Sequence, residues 1–330
     1  MRGGTLFSGI GAPECALPAL DWRWAAEIDP FASAVYRTRF PGVANLGDVT
    51  VVNWADVEPV DVVVFGSPCQ SFSVAGRRGG LADPRGDLAR VALDAVGRLR
   101  ARWFVLENVA GLLSSHGGRD FGALLGQMGE RGYGYAWRVL DARYFGVPQR
   151  RRRLFVVGHL GDWRPAAAVL FEPDGLCRPA APRRPAGPAA AGAAAHAAGE
   201  PGGSRLIAFG GNNTRGPIPV ATAVTAHGGP HGRLDFESET FVVDRDTDDV
   251  RRLTILERER LMGLPDGWTA IDWRGRPAPD GPRSRAIGNS MAVPVIRWVL
   301  ERLVTVDGLL GAGWERREPE APASLGQPAR

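Results

Sequence analysis

The chain has 330 residues, a hydrophobic fraction of 44% and a formal net charge of +4. No apolar run approaches the ~18 residues that a membrane span requires, and residues 1–7 lack the pattern of a secretory leader, so we expect a cytoplasmic protein that does not bind membranes. The cysteines (Cys15, Cys69 and Cys177) are too few for a disulfide framework and have no metal-ligand spacing, so no metal site is expected. The positive charge is compatible with a polyanion partner.

Short apolar runs alternate with helical stretches along the first half of the chain. The runs that predict strands are 5–7, 24–27, 61–65, 103–106 and 154–158. Helices are predicted at 88–100, 253–262 and 292–304. The β-α alternation predicts an α/β fold with a doubly wound, mostly parallel sheet.

The composition changes near residue 162. From there to about residue 204, Ala, Pro, Gly and Arg dominate, which predicts a linker because little apolar surface can be buried. Short β-like pieces at 206–209 and 240–243 lie in a Gly- and Thr-rich stretch, which predicts a small, loop-rich second domain. Residues 311–330 are predicted to form a disordered tail.

The first candidate site is the turn Phe7-Ser8-Gly9-Ile10-Gly11, between a predicted strand and a helix. Glycines in such a turn let the backbone approach a cofactor at the positive end of the helix. Glu27 ends the next strand, where an acidic residue can bind a ribose, and Asp48 adds a third loop at the same edge of the sheet. The alternative is an ordinary tight turn with a surface carboxylate.

The second candidate is Cys69, which follows the buried run 61–65 directly, with Pro68 stiffening the approach. The loop that continues to Gly86 is rich in Gly and Arg, which predicts a mobile basic loop. A free cysteine is usually a small buried hydrophobe. Its position on a loop at the edge of a sheet favours a reactive thiol instead.

A carboxylate and an arginine cluster complete the candidates. Glu107 ends the strand 103–106, where a carboxylate between apolar segments can act as an acid, although a capping or ion-paired glutamate is an alternative. Residues 150–153 are four successive arginines. Strand alternation places Arg151 and Arg153 on one side, whereas a solvated basic patch is the alternative.

Taken in order, Phe-x-Gly-x-Gly, Pro-Cys-Gln, Glu-Asn-Val, Gln-x-Arg-x-Arg and Gly-Asn-Ser resemble the motifs of the cytosine-C5 DNA methyltransferase family of bacteria and phages. The resemblance covers about 4–160 and 250–304, and it includes 252–265 as the ninth motif and 83–88 at the catalytic loop. It implies a Rossmann-like methyltransferase fold, S-adenosylmethionine as cofactor and double-stranded DNA as partner.

The resemblance also implies roles for individual residues. Cys69 would add to cytosine C6, Glu107 would stabilise N3, and Arg153 would contact O2. The implied catalytic residues are Cys69, Gln70, Glu107, Asn108, Arg151 and Arg153, with Arg151 facing DNA and Asn108 holding the Pro68-Cys69 loop. The implied cofactor-binding residues are Phe7, Gly9, Ile10, Gly11, Glu27, Ile28, Asp48, Val49, Pro68, Leu88, Asn289 and Ser290.

The resemblance also assigns different functions to different ranges of the chain. It implies a catalytic and cofactor-binding domain over 1–160, a target-recognition domain over 161–284 with an Ala/Pro-rich linker near 165–204, and a segment over 285–308 that completes the first domain. A base inside a duplex is unreachable, so the target cytosine must be flipped out. The expected DNA-binding residues are Ser71, Ser73, Arg77, Arg78, Arg85, Asn212, Asn213, Arg215 and Arg233.

Three other functions remain alternatives. An RNA or tRNA cytosine-C5 methyltransferase would share the scaffold, but the Cys-Phe-Thr element of that branch is absent from the region of the ninth motif. A catalytically silent DNA-binding homologue would not need Cys69 and Glu107. A nicotinamide-dependent oxidoreductase is suggested by the first motif alone. We expect a monomer, and a cognate restriction endonuclease that acts separately remains an open partner.

Overall fold

The computed structural model describes residues 1–67, 87–172, 206–211, 217–226, 238–244 and 249–311. The strands of its large sheet are β1 Arg2–Leu6, β2 Asp21–Ala26, β3 Ala44–Asn45, β4 Val62–Phe65, β5 Trp103–Val109, β6 Tyr133–Asp141 and β7 Arg152–Leu160. Their order is β3-β2-β1-β4-β5-β7-β6. The strands β1 to β5 pair in parallel, whereas β7 is antiparallel to β5 and β6. The predicted α/β fold with a mostly parallel sheet is confirmed.

Helices cover both faces of this sheet. They are α1 Ala12–Ala16, α2 Pro30–Arg39, α3 Asp87–Leu99, α4 Arg119–Glu130, α5 Arg164–Leu170, α6 Ile255–Leu261, α7 Asp280–Asn289 and α8 Val293–Leu310. One core contains apolar residues of α1, α2, α5 and α8, and the other contains those of α3 and α4. Among the described residues, no helix is both long and apolar enough to cross a membrane.

The strand β4 shows why the sheet forms where the sequence predicts it. All four of its side chains are buried. Val62 and Val64 enter one core, while Val63 and Phe65 enter the other. A strand with helices on both faces needs apolar residues at every position, so its sequence is a continuous apolar run.

The chain also forms a second, smaller antiparallel sheet. Its strands are β8 Leu206–Gly210, β9 Thr240–Asp244 and β10 Val250–Arg252, in the order β10-β9-β8. A short hairpin follows, formed by β11 Asp272–Trp273 and β12 Arg276–Pro277. The strands predicted at 206–209 and 240–243 are thus present.

Two segments near the expected domain boundaries contact the large domain. Helix α5, expected at the beginning of the Ala/Pro-rich linker, packs on β6 and α8, and Arg302 donates hydrogen bonds to the carbonyls of Val169 and Phe171. Residues 164–170 therefore belong with the large sheet, because their apolar face is buried there. Similarly, Trp268 donates to the carbonyl of Ile10, so residues after α6 also contact the first domain. The remaining linker, Cys177 and the predicted tail from 312 onward lie outside the described residues.

Candidate active site

A crevice opens at the edge of the large sheet where β1, β4 and β5 end, and the empty space there, together with the adjoining solvent, is about 370 Å³. Four separate parts of the chain line it, and their members include Phe7, Ser8, Gly9, Gly66, Glu107, Asn289 and Ser290. The carboxyl ends of parallel strands converge on one crevice, which explains why residues far apart in sequence meet here. The structure therefore brings together Phe7, Gly9, Glu107, Asn289 and Ser290, all predicted from sequence.

The turn between β1 and α1 has two glycines with different surroundings. Open space adjoins the first, whereas the second packs tightly against a neighbouring side chain. Gly9 has φ +57°, and a Cβ there would meet no atom within 4 Å. Gly11 has φ +79°, and a Cβ there would lie 2.4 Å from the ring of Phe40. Because L side chains rarely adopt this conformation, both positions favour glycine. Gly9 exposes backbone to the crevice, whereas Gly11 lets the end of α2 pack on the turn.

The carboxylate of Glu27 links the ends of the first two strands. Its Oε2 accepts from the backbone N–H of Gly9 at 2.7 Å, and its Oε1 accepts from that of Asp29 at 2.7 Å. Burial raises the pKa of Glu27 above its ordinary value. The side chain is thus fixed at the mouth of the glycine turn, where a ribose hydroxyl can reach its remaining lone pairs.

The other predicted cofactor residues divide into exposed and buried groups. Ile28 is 68% exposed, and Asp48 is exposed with its Oδ1 accepting from Thr50. Ile10 and Val49 have buried side chains that pack in the two cores. The predicted cofactor-binding role of Ile10 and Val49 stays a prediction, and these buried side chains restrict it to their backbone atoms. Leu88 is half-buried near the beginning of α3.

A buried polar network beneath the turn is not apparent from the sequence. Glu14 on α1 is fully buried, and its Oε1 accepts from the hydroxyls of Thr5 at 2.6 Å and Tyr36 at 2.7 Å. The Thr5 hydroxyl also lies 2.8 Å from that of Ser8, which accepts from the N–H of Ala26. Burial raises the pKa of Glu14. The network holds the crevice floor in one arrangement, because each buried hydroxyl has a defined partner.

Glu107 and Arg153 meet at the crevice from neighbouring antiparallel strands. The Nε of Arg153 lies 3.3 Å from Oε1 of Glu107, and the Glu107 side chain is 12% exposed. A Cβ at Gly66 would lie 3.3 Å from Oε2 of Glu107 and 3.0 Å from Met291. The glycine after β4 therefore makes space for the carboxylate. A carboxylate that lines the crevice and a cationic donor beside it can together form hydrogen bonds with a polar ligand.

Asn108 anchors the chain just before the predicted nucleophile. Its Nδ2 donates to the hydroxyl of Ser67 at 3.1 Å, and its Oδ1 accepts from the N–H of Val109. Both Asn108 and Ser67 are buried. Ser67 immediately precedes Pro68, so this contact fixes the point where the chain leaves β4 towards Cys69.

Several predicted residues lie outside the described part of the chain. In the stretch 68–86 these are Pro68, Cys69, Gln70, Ser71, Ser73, Arg77, Arg78 and Arg85. In the recognition region they are Asn212, Asn213, Arg215 and Arg233. Among the described residues, no three His, Cys, Asp or Glu side chains are grouped as a metal site would require.

The side chain of Arg151, which was expected to face DNA, is buried inside the protein. Its side chain is 4% exposed and donates to the carbonyls of Val224 at 2.9 Å, Ser290 at 2.7 Å and Gly288 at 3.3 Å. The guanidinium thus supplies donors to three carbonyls inside the protein, where a buried carbonyl needs a partner. The alternation of the four arginines holds, because Arg150 and Arg152 are exposed.

Comparison with known families decides the class of the protein. A family model described as C-5 cytosine-specific DNA methylase matches residues 1–174 and 212–305. The chain belongs to this family. The predicted enzyme class, a DNA (cytosine-5-)-methyltransferase that uses S-adenosylmethionine, is thereby confirmed. The crevice fits this cofactor, because it offers open space at Gly9, the carboxylate of Glu27 beside it and the exposed side chain of Asn289.

Similar proteins come from bacteria and phages. The type II methyltransferase M.NlaX of Neisseria lactamica is 29% identical, over 90% of this chain and 94% of its own length. M2.BsuMI of Bacillus subtilis is 29% identical, over 92% of this chain and 75% of its own. A protein of Escherichia phage P1 is 32% identical over 91% of this chain, and it carries the name DNA N-6-adenine-methyltransferase. This chain spans 60% of the length of the phage protein.

Solved structures share the fold at low identity. A DNMT2 mutant from Spodoptera frugiperda has a TM-score of 0.64 at 18% identity, covering 92% of this chain and 99% of that one. The methyltransferase EhMeth of Entamoeba histolytica has a TM-score of 0.64 at 15% identity, covering 94% and 98%. These likenesses show that the architecture is that of the methyltransferase fold.

Proposed function

We propose that this protein methylates C5 of a cytosine within a specific sequence of double-stranded DNA, with Cys69 as the nucleophile. The observation that carries the proposal is the Glu107–Arg153 pair at the crevice, beside Gly66 and the cofactor segment Asn289–Ser290. Asn108 and Ser67 direct the chain from this point towards Cys69.

The chemistry requires a nucleophile because cytosine C5 is itself a poor one. The thiolate of Cys69 adds to C6, which turns the ring into an enamine and makes C5 reactive. Glu107 stabilises the developing charge by a hydrogen bond or proton at N3, and Arg153 donates to O2. S-adenosylmethionine supplies the methyl group to C5 when bound. Loss of the C5 proton then expels Cys69 and leaves 5-methylcytosine.

The geometry of a duplex requires that the cytosine leave the stack. Flipping a base costs a few kcal/mol. The stretch from Ser71 to Arg85 is rich in Gly and Arg, and its closure on the phosphate backbone would offset this cost. Sequence recognition is assigned to the region of the small sheet, where Asn212, Asn213 and Arg215 are side chains that can bind base edges.

Analysis of the product tests this proposal against its alternatives. The enzyme is incubated with S-adenosylmethionine carrying an isotopically labelled methyl group and either duplex DNA or tRNA, and the hydrolysed nucleosides are identified by mass spectrometry. We expect labelled 5-methylcytosine from DNA. Labelled N6-methyladenine would instead assign the activity named for the phage P1 relative, and label in tRNA alone would assign an RNA substrate. Bisulfite sequencing of DNA from an expressing, methylation-free host then gives the target sequence.

A further inference from the structure

Residues 221–226, which we call the bridging segment, connect the two sheets. On one side its first residue pairs with the chain before β7. The N–H of Ala221 donates to the carbonyl of Pro148, and the N–H of Arg150 donates to the carbonyl of Ala221, both at 2.8 Å. On the other side, the N–H of Thr222 donates to the hydroxyl of Thr240 on β9 at 2.8 Å. The bridging segment therefore fixes where the small sheet sits on the large one.

Two buried side chains hold the centre of the bridging segment. Gln149 is 0% exposed, accepts from the N–H of Val224 at 2.7 Å and donates to the carbonyl of Leu261 at 2.8 Å. Arg151 donates to the carbonyl of the same Val224 and to that of Ser290. The backbone of Val224 is thus satisfied by side chains rather than by a sheet partner.

The bridging segment also packs directly on the cofactor side of the molecule. A Cβ at Gly288 would lie 2.3 Å from the backbone nitrogen of Ala226, so the two backbones are in close contact. Arg258 on α6 donates to the carbonyl of Thr225 at 2.6 Å. Gly288 lies in the last turn of α7, which leads into Asn289 and Ser290 at the crevice.

We propose that Arg151 is a positioning residue that couples cofactor binding in the crevice to the placement of the small sheet formed by β8, β9 and β10. The guanidinium of Arg151 donates to a carbonyl of the bridging segment and to carbonyls of residues 288–290, next to the crevice. Leaving a buried donor or carbonyl unpaired is costly, so neither segment moves without the other. Such coupling is reciprocal, so DNA held by the recognition region would tighten the cofactor site equally. The inference rests on the proposed function, because it takes the small sheet as the DNA-recognition element.

Hydrogen exchange with a non-reactive cofactor analogue tests the coupling without DNA. Amide exchange is measured by mass spectrometry with and without saturating S-adenosylhomocysteine, in the wild type and in Arg151→Met. In the wild type we expect slower exchange in both 285–292 and 221–226, by on the order of tenfold, within the usual range of coupling between sites. In Arg151→Met the slowing at 285–292 should remain, while that at 221–226 should be lost.

The chain offers a matched control in Arg302. This arginine also donates to three backbone carbonyls, those of Ala168, Val169 and Phe171, but it lies on α8 away from the bridging segment. Arg302→Met should keep the wild-type response in both regions. If Arg151→Met does not fold, Arg151→Lys carries the test, because a single ammonium group lacks the planar fork that reaches both segments.

The outcomes separate this inference from the proposed function. Protection at 285–292 without any at 221–226 in the wild type overturns the coupling, as does equal protection at 221–226 in the Arg151 variants. An absence of protection at 285–292 in the wild type, with no binding of S-adenosylhomocysteine by calorimetry, counts against the proposed function instead.

Discussion

The two sheets differ in what holds them together. In the large sheet, β4 sends its side chains into two extensive cores. Among its described residues, the small sheet has its own buried apolar cluster of Leu206 and Val242, with Leu253 packed against it, while Ala208 of β8 joins a core of the large sheet. Next to the small sheet, residues 221–226 are held to the large domain by hydrogen bonds: the N–H of Val224 donates to Gln149, and Arg151 donates to the carbonyl of Val224.

Under the proposed function, this difference separates the part of the molecule that carries out chemistry from the part that recognises the DNA sequence. Catalysis needs residues held to within fractions of an ångström, which a close-packed core on both faces of a sheet provides. Recognition needs surface residues that can change, and hydrogen bonds to the backbone of the bridging segment leave its own side chains largely free to differ. Changes in the large sheet should therefore affect rate, whereas changes near the small sheet should affect the choice of DNA sequence.

The largest effect is expected at Cys69. Cys69→Ala should abolish methyl transfer while S-adenosylhomocysteine still binds, because the proposed addition to C6 requires the Cys69 thiolate. Transfer of a labelled methyl group and calorimetry measure the two properties. The matched control is Cys15→Ala on α1, where burial raises the thiol pKa and keeps the group protonated. Normal turnover by the Cys69 variant would show that the mechanism is wrong.

A modified DNA substrate tests directly whether Cys69 forms a covalent bond with C6. DNA with 5-fluorocytosine at the target should form a complex with the wild type that survives denaturant, because fluorine cannot leave as a proton does. The complex should be absent with Cys69→Ala. Failure of the wild type to form it would count against addition at C6.

Glu107→Gln should slow chemistry by on the order of 10²-fold or more, as for other acid catalysts, with little change in DNA affinity. The reason is that the interaction with N3 strengthens in the transition state. Single-turnover kinetics and a DNA-binding titration measure the two effects separately. A collapse of affinity with unchanged chemistry would make Glu107 a structural residue and would break the division between the two sheets.

A smaller effect, on sequence choice rather than rate, is expected at Arg215. Arg215→Ala should relax or redirect the methylated sequence, because one bidentate base contact is worth ~1–3 kcal/mol of discrimination. Genome-wide bisulfite mapping reports it. Deletion of 180–200 is the control, and we expect it to change neither site nor rate greatly. An unaltered preference across alanine substitutions from 212 to 233 would place recognition elsewhere.

The smallest effect concerns the pH dependence of stability at Glu14. Burial raises the pKa of this carboxyl in the folded state above its ordinary value of 4.5. The folded protein then binds more protons than the unfolded chain, so its stability falls as pH rises from 4.5 towards the raised pKa. Glu14→Gln lacks this titration, so its Tm relative to the wild type should rise from pH 5 to pH 8.

Thermal unfolding across that pH range measures the effect, at about 2–4 °C for each kcal/mol. The matched control is Thr5→Val, which removes one hydrogen bond to the same carboxyl but retains its titration. A constant difference in Tm between Glu14→Gln and the wild type would show that Glu14 ionises equally in both states.

The elements that could be predicted from sequence are those with an unambiguous local pattern. The runs at β4 and β5 are apolar throughout because both faces are covered. The strand β6 was not predicted, since its sequence mixes aromatic residues with Gly and Arg and it lies at the edge of the sheet. The two-residue strand β3 is too short to carry any periodicity.

At the site, sequence motifs identified residues but not all of their surroundings. The meeting of Glu107 and Arg153 follows from strand register, and both were predicted. The burial of Arg151 could not be read locally, because its partners lie 73 or more residues away and its neighbours are also arginines. Glu14 gave no signal either, since Tyr36 is 22 positions distant along the chain.

The placement of α8 has a consequence for how the protein is made. This helix packs on α1 and α5 and shares their core, yet it is translated after both strands β8 and β9. At ~5–20 residues per second, the ribosome needs on the order of ten seconds to pass from α5 to the end of α8. During that interval the part of this core that α8 covers stays exposed, and Asn289 and Ser290 have not yet reached the crevice. A nascent chain therefore exposes an apolar surface that chaperones can bind, and it acquires its complete cofactor site only when α8 docks.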